Sequence, residues 1–298
     1  MHYIGAMSLE IEVTTDASFC PGVDRAFRIT EKTLFGDRSR CYSVGPLIHN
    51  PEVVRRLTML GLGVLDPDGE ELPDLREATV VVRSHGIDTA SQEKLESLGA
   101  RLVDATCPTV ERAQAAAREL LESGHSVLVL GSARHPEVRS IVGRAGGEVT
   151  VLQDAAEAAR WAASHADIPG PVGIVCQTTV PRDRLEQVIE ALAPFSGRLT
   201  VRDTICESVS RRREEAREVA GRVDVMFVVG GRDSSNTAEL ARTCEGVGVA
   251  TYLIEDPEEI RPEWLEGARR AGVTGGASTP DWLIRETVER LEDLDRTR

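Results

Sequence analysis

The run Arg101-Leu-Val-Asp104-Ala-Thr-Cys107-Pro108-Thr-Val110 places a cysteine between a short apolar strand and a long helical pattern. Proline at 108 suits the first position of a helix, where a backbone N–H would have no partner anyway. Cys20 and Cys206 occupy the same kind of junction. Any one of these cysteines by itself reads as a small buried hydrophobe. The residues C-terminal to each of them change that reading.

After Cys20, Val23, Ala26, Phe27, Ile29, Thr33 and Leu34 recur at helical spacing until Gly36. A strand at Cys41–Val44 leads to Gly45, and His49-Asn-Pro-Glu52 opens a helix. A strand at Leu62–Leu65 ends in a turn, Asp66-Pro-Asp-Gly69. The strand at 79–83 ends in Ser84-His85-Gly86, and a helix at 89–98 leads back to the strand before Cys107. The order then repeats. From Cys107 come a helix to Ser123, a strand at Ser126–Leu130, His135-Pro-Glu137 opening a helix, strands at 148–152 and 171–175, and Gln177-Thr178-Thr179. Helices at 155–164 and from Arg182, then a strand at 199–202, lead to Cys206. From Cys206 come a helix, a strand at 224–229, Ser234-Ser235-Asn236, a strand at 272–274, Ser278 and a last helix from Pro280.

Distances along the chain make the repeat quantitative. Gly36, Gly124 and Gly221 lie 16, 17 and 15 residues past Cys20, Cys107 and Cys206. His49, His135 and Ser234 lie 29, 28 and 28 past them, and His85, Thr178 and Ser278 lie 65, 71 and 72 past them. The first two units each close with a strand leading to the next cysteine, whereas the third runs out of chain. The unassigned strand at Leu9–Val13 supplies the missing piece. The expected fold is therefore α/β: three pseudo-threefold-related units with parallel sheets, closed into a ring. The units span residues 21–107, 108–205, and 206–298 together with 1–20. Alternating strands and helices imply parallel sheets, whose ligands bind past the carboxyl ends of the strands. Every polar loop residue named above falls there.

Each of the three cysteines sits at a predicted helix N-terminus, where the helix dipole and free amides favour the thiolate. Three such thiolates suit zinc, or three corners of a [4Fe–4S] cubane with one iron open. Cys41, Cys176 and Cys244 are not equivalent in the repeat and are read as structural. His49, His85, His135, Thr178, Ser234, Ser235, Asn236 and Ser278 form a donor-rich, neutral to weakly cationic set suited to a phosphate or diphosphate. Ser, Thr and Asn also favour N-caps and turns whatever else they do. A carboxylate beside such a set is a natural proton donor, and the repeat offers both Glu52 and Glu137.

Composition removes several function classes. A formal charge of −14 argues against nucleic-acid binding, which wants a basic stripe. Lys32 and Lys94 are the only lysines, so an anion would meet loop amides, hydroxyls and histidines rather than a lysine clamp. With 41% hydrophobic and 28% charged residues and no apolar run near membrane length, the chain reads as a soluble, cytoplasmic protein without a membrane span or a signal peptide. No C-x-x-C pair occurs, which disfavours thioredoxin-like chemistry. Both Met1 and Met7 could be the start.

The motifs together resemble the LytB/IspH family. Those that carry the likeness are Ser18-Phe-Cys20-Pro-Gly-Val-Asp-Arg-Ala26, Gly45-Pro-Leu-Ile-His49-Asn50, Arg83-Ser-His85-Gly86 and Asp104-Ala-Thr-Cys107-Pro108. His135-Pro-Glu-Val138, Gln177-Thr-Thr179, Ser234-Ser-Asn236 and Gly276-Ala-Ser-Thr-Pro-Asp281 extend it over nearly the whole chain. The resemblance implies a trefoil of three α/β domains around a [4Fe–4S] cluster held by Cys20, Cys107 and Cys206. It implies reductive loss of the hydroxyl of (E)-4-hydroxy-3-methylbut-2-enyl diphosphate, the last step of non-mevalonate isoprenoid biosynthesis. Two electrons and two protons would remove that hydroxyl as water, giving isopentenyl and dimethylallyl diphosphate. Glu137 matches the family's proton-supplying glutamate, and Thr178 the threonine that orients the hydroxyl end. The diphosphate would lie among the histidines, Ser234, Asn236 and Ser278. Electrons would come from a ferredoxin or flavodoxin, since no nucleotide-binding G-x-G-x-x-G is evident.

One region departs from the family pattern. Cys206 is followed by Glu207-Ser-Val-Ser-Arg-Arg-Arg213, so Val209 stands where the family has a hydroxyl and Arg213 where it has a glutamine. A paralogue acting on a different allylic diphosphate is one alternative this raises. A zinc hydrolase with Glu137 as base is another, and a non-catalytic cluster protein sensing oxygen or iron a third. The run Arg211–Arg213 reads as a solvated helix face.

Overall fold

In the computed structural model, residues 8–36, 40–66, 69 and 72–297 are described. The described residues form twelve strands in three parallel sheets. The first elements are β1 (Glu10–Val13), α1 (Pro21–Gly36), β2 (Cys41–Val44), α2 (Pro51–Met59), β3 (Leu62–Leu65), β4 (Thr79–Val82), α3 (Thr89–Ser97) and β5 (Arg101–Asp104). Then come α4 (Pro108–Glu122), β6 (Ser126–Leu130), α5 (Pro136–Ala145), β7 (Val149–Leu152), α6 (Ala155–Ser164), β8 (Val172–Cys176), α7 (Arg182–Ala191) and β9 (Leu199–Arg202). Last are α8 (Glu207–Ala220), β10 (Val225–Val229), α9 (Ser235–Glu245), β11 (Ala250–Ile254), β12 (Arg270–Gly275) and α10 (Asp281–Arg296).

Strand order repeats from sheet to sheet: β3-β2-β4-β5, β7-β6-β8-β9 and β11-β10-β12-β1. In the first two, the fourth position belongs to the strand that precedes the next cysteine. In the third it is taken by β1, which pairs in parallel with β12 from Glu10↔Arg270 to Val13↔Val273. Thr14 Oγ1 donates to Thr274 Oγ1 at 2.8 Å just beyond the ladder.

The inner strands β4, β8 and β10 are buried at every residue, as parallel strands covered on both faces must be. Alternate residues of β10 face opposite layers. Val225, Phe227 and Val229 pack with Leu283, Ile284 and Leu291 of α10, while Met226 and Val228 pack with Ala216 and Val219 of α8. The helices start where the sequence permits it: Pro108 follows Cys107, Pro136 follows His135, and Asp88 and Asp154 cap α3 and α6 through their carboxylates.

The chain packs as two compact units. One comprises Met1–Val23, Ile48–Arg56 and Glu207–Arg298 and holds the sheet β11-β10-β12-β1; the other comprises Asp24–Leu47 and Leu57–Cys206 and holds the remaining two sheets.

One difference from the sequence reading stands out. β11 was not expected, although Ala250-Thr-Tyr-Leu-Ile254 has strand composition. Of the turn at Asp66-Pro-Asp-Gly69, the Gly69 N–H donates to the Asp66 carbonyl at 3.1 Å, and Pro67 and Asp68 lie outside the described residues. Met1 and Met7 lie outside them as well.

Candidate functional site

The six cysteines divide into two chemical classes. Cys41, Cys176 and Cys244 are buried, and burial pushes the Cys176 and Cys244 thiols up to about 12, so both stay protonated. Cys20, Cys107 and Cys206 are partly exposed, and a helix begins at the very next residue after each. Cys107 is the N-cap of α4, yet its side chain makes no capping hydrogen bond. Accessible thiols at helix N-termini are the donors a thiolate-bound metal or cluster needs, and the three buried ones are not.

A shared backbone contact fixes all three. Cys20 N–H donates to the Ala277 carbonyl at 3.0 Å, Cys107 to Ser84 at 2.9 Å and Cys206 to Thr178 at 2.8 Å. Each acceptor lies in the loop past the third strand of its sheet, at or one residue before Ser278, His85 and Thr178. The repeat seen along the sequence is thus a repeat of hydrogen bonds. Arg25 adds a brace, its Nη1 donating to the Thr106 carbonyl beside Cys107 at 2.9 Å, while Asp104 accepts from both N–H and hydroxyl of Thr106.

In the compact unit that holds the sheet β11-β10-β12-β1, Ser278 Oγ donates to the His49 carbonyl at 3.1 Å. The same carbonyl passes over Gly231, where a Cβ would stand only 2.5 Å from its oxygen, so that position excludes any side chain. Ser234 caps α9 by accepting from Thr237 N–H at 3.4 Å, so its expected role as a helix cap is real. Ser235 is the first residue of α9 and half-buried. Asn236 is different. It is buried, and neither its Oδ1 nor its Nδ2 has a hydrogen-bond partner among the described residues. A buried amide left unmatched costs about 1–3 kcal/mol, which a polar ligand would recover.

In the compact unit that holds the other two sheets, the His85 and His135 rings meet edge to face with centroids 5.4 Å apart. His135 also caps α5, its Nδ1 accepting from Glu137 N–H at 3.2 Å. Glu137 lies one residue into that helix after Pro136 and is 2% exposed. Its Oε1 accepts from Thr178 N–H at 2.6 Å and its Oε2 from the Thr178 hydroxyl at 3.0 Å. Both bonds favour the carboxylate. Burial outweighs them and pushes the carboxyl up to about 7. Glu52, the other candidate acid, is instead engaged by Arg55, with contacts of 2.7–3.0 Å on the exposed side of α2. The Glu137–Thr178 pair comes from sheet order: β6 and β8 are neighbours in register to Leu130↔Cys176, which brings the loops past their ends together.

The arginine run after Cys206 corrects the sequence reading. Arg211 is exposed and pairs with Asp16 at 2.8 Å, but Arg212 and Arg213 are buried, 1% and 9% exposed. They are not a solvated face. Val209, Arg212, Arg213, Ala216, Val219 and Ala220 are the buried positions of α8. Their spacing of 3, 4, 7, 10 and 11 from Val209 is one helical stripe, a signal that was present in the sequence.

Parallel sheets whose strand-end loops carry accessible thiols, imidazoles and a buried acid define a class: α/β proteins equipped for metal-dependent proton and electron chemistry. Within that class the chain belongs to the LytB protein family, whose model matches residues 11–292. A curated relative from Geobacter metallireducens, named 4-hydroxy-3-methylbut-2-enyl diphosphate reductase, is 40% identical over 97% of this chain and 99% of its own. One of the same name from Aquifex aeolicus is 37% identical over 96% and 97%. A solved (E)-4-hydroxy-3-methyl-but-2-enyl diphosphate reductase, described as the terminal enzyme of the non-mevalonate pathway, is 35% identical, with a TM-score of 0.71 over 96% of this chain and 99% of that one. The Plasmodium falciparum E-1-hydroxy-2-methyl-but-2-enyl-4-diphosphate reductase, 21% identical with a TM-score of 0.86 over 95% and 87%, shares the fold.

Proposed function

We infer that the chain is an oxidoreductase that converts (E)-4-hydroxy-3-methylbut-2-enyl diphosphate to isopentenyl and dimethylallyl diphosphate, closing the non-mevalonate pathway. Relatives of that name at 35–40% identity over nearly the full chain support the activity. The observation that carries it is the Glu137–Thr178 pair: a carboxyl held near pKa 7 and hydrogen-bonded to a hydroxyl is a proton donor suited to neutral pH.

Cys20, Cys107 and Cys206 hold the [4Fe–4S] cluster in this reading, and their difference in exposure from the other three thiols fits that role. When bound, such a cluster would supply the electrons. The chain does the rest. Glu137 keeps its proton up to neutrality and passes it to Thr178 Oγ1, which hands its own proton toward the leaving hydroxyl. Two electrons and two protons then balance loss of that hydroxyl as water. His49, His85, His135, Ser234, Ser235, Asn236 and Ser278 bind the diphosphate, with Asn236 gaining the partners it lacks. Residues 21–107, 108–205, and 206–298 with 1–20 act as three α/β units, each contributing one cysteine. The electron donor is a ferredoxin or flavodoxin, and the setting is the cytoplasm. Among the described residues no helix is long and apolar enough to cross a membrane.

Anaerobic purification with iron and sulfide analysis, followed by assay on the hydroxylated diphosphate with a chemical reductant, tests this. A brown protein with acid-labile sulfide and turnover is expected. Stoichiometric zinc and no sulfide would sink the cluster. An intact cluster without turnover would point to a different allylic diphosphate, and then Val209 and Arg213 become the residues to exchange.

A further inference from the structure

Arg212 is among the largest fully buried side chains in the protein, at 1% exposure. Its Nη1 donates to the Gly275 carbonyl at 2.8 Å and its Nη2 to the Ser18 carbonyl at 2.7 Å. Its Nε has no partner, and among the described residues no carboxylate reaches it at ion-pair distance. A guanidinium taken out of water with only neutral acceptors pays a desolvation penalty of several kcal/mol, so nearby negative charge has to offset it. Burial works against its charge, while the carboxylates of Asp16 and Glu215 favour it. Those two carboxylates have other work: Asp16 pairs with Arg211, and Glu215 accepts from the N–H groups of Thr15 and Asp16 at 2.5 and 3.3 Å.

The loop it grips is tightly laid. A Cβ on Gly275 would stand 2.1 Å from the Ala17 carbonyl oxygen, and Cys20 N–H is tied to Ala277 three residues before the end of the same loop, at Pro280. Arg211, Arg212 and Glu215 thus project from α8 onto the segment that delivers Cys20, and α8 itself starts immediately after Cys206.

We propose that Arg212 is a positioning residue for the metal centre, locking Ser18-Phe19-Cys20 onto the end of β12 and setting a buried positive charge against the backbone two residues before Cys20. The proposal rests on the reading of Cys20 as a cluster ligand. A positive charge there stabilises the more negative, reduced state, so it raises the reduction potential of the bound cluster.

Arg212→Gln and Arg212→Lys separate charge from packing, compared as anaerobically purified full-length protein. Iron and sulfide per chain, the midpoint potential by spectroelectrochemistry and the urea midpoint are read together. In Arg212→Gln the reduced-to-oxidised ratio at fixed potential falls roughly tenfold, about 59 mV for a one-electron couple. Arg212→Lys recovers most of that shift even though it loses one carbonyl contact and some stability. Equal shifts in both variants, or wild-type potential in Arg212→Gln, would overturn the proposal. If Arg212→Gln fails to fold, Arg212→Lys decides alone: a wild-type potential supports the charge role and a lowered one refutes it. Wild-type protein without iron and sulfide would remove the cluster reading itself, and this proposal with it.

Discussion

Glu137 carries a stability cost that can be measured without any substrate. Its carboxyl titrates near 7 when folded, against 4.5 for an ordinary glutamate. Between those values the folded protein holds a proton that the unfolded chain has released. The contribution is therefore fully favourable below pH 4.5 and is lost as pH rises through 7, amounting to about 3 kcal/mol. Glu137→Gln should flatten that slope in urea unfolding at pH 5 to 8 and become the more stable protein at pH 8. It should still retain its iron while turnover drops at least about 100-fold; undiminished turnover would exclude Glu137 as the acid. Thr178→Val removes a bond that favours the carboxylate, so the acid's pKa rises further and the falling limb of the pH–rate profile moves to higher pH. A limb that stays put would mean another group supplies the proton. At the cysteines the contrast is simple. Cys107→Ala should lose iron and sulfide, whereas Cys244→Ala should keep both and lose only about 1 kcal/mol of stability, as read by iron analysis and urea unfolding.

At the scale of elements, the strands and helices were legible because each carries a period of its own and Pro, Gly and Asp mark the ends. β2, β3, β6 and α6 begin and end where the residue pattern puts them. β11 escaped because it is a half-exposed edge strand with no polar loop residue of the repeat behind it. The site was legible as positions but not as partners. The thiols and histidines announce themselves by spacing, whereas the Glu137–Thr178 contact joins residues 41 apart and depends on β6 lying beside β8. The burial of Arg212 was hidden by its charge, although the stripe of α8 contains it. Close approach is equally invisible in sequence. Gly231→Ala should cost about 1–3 kcal/mol by pressing on the His49 carbonyl, and it should raise KM for the diphosphate more than it lowers kcat. A substitution neutral in both would show that the loop yields.

At the scale of the whole molecule, the repeated strand order explains why β1, the first strand, and α10, the last helix, belong to one sheet's unit. β5 follows β4 and α3, β9 follows β8 and α7, and β1 takes the matching place after β12 and α10 although it comes first in the chain. The first and last described stretches meet: Leu9 N–H donates to Asp295 Oδ2 at 2.9 Å, near the end of α10. Ends this close allow the chain to be permuted. Joining Thr297 to Leu9 through a short Gly-Ser linker and opening the exposed turn between Gly146 and Gly147 would place β1 after α10 in the sequence. The third sheet would then be built in the same chain order as the first, from β10 through β11 and β12 to β1. The permuted protein should fold with the far-UV circular dichroism of the original, a urea midpoint lower by no more than the opened turn costs, and unchanged iron content. By contrast, deleting residues 1–13 removes the β1–β12 ladder and the buried Leu9, worth about 1.5–3 kcal/mol for that side chain alone. It also bares β12 as a sheet edge open to aggregation. If the permuted protein unfolds as readily as the truncated one, the order of synthesis matters to this fold and not only the final pairing of its strands.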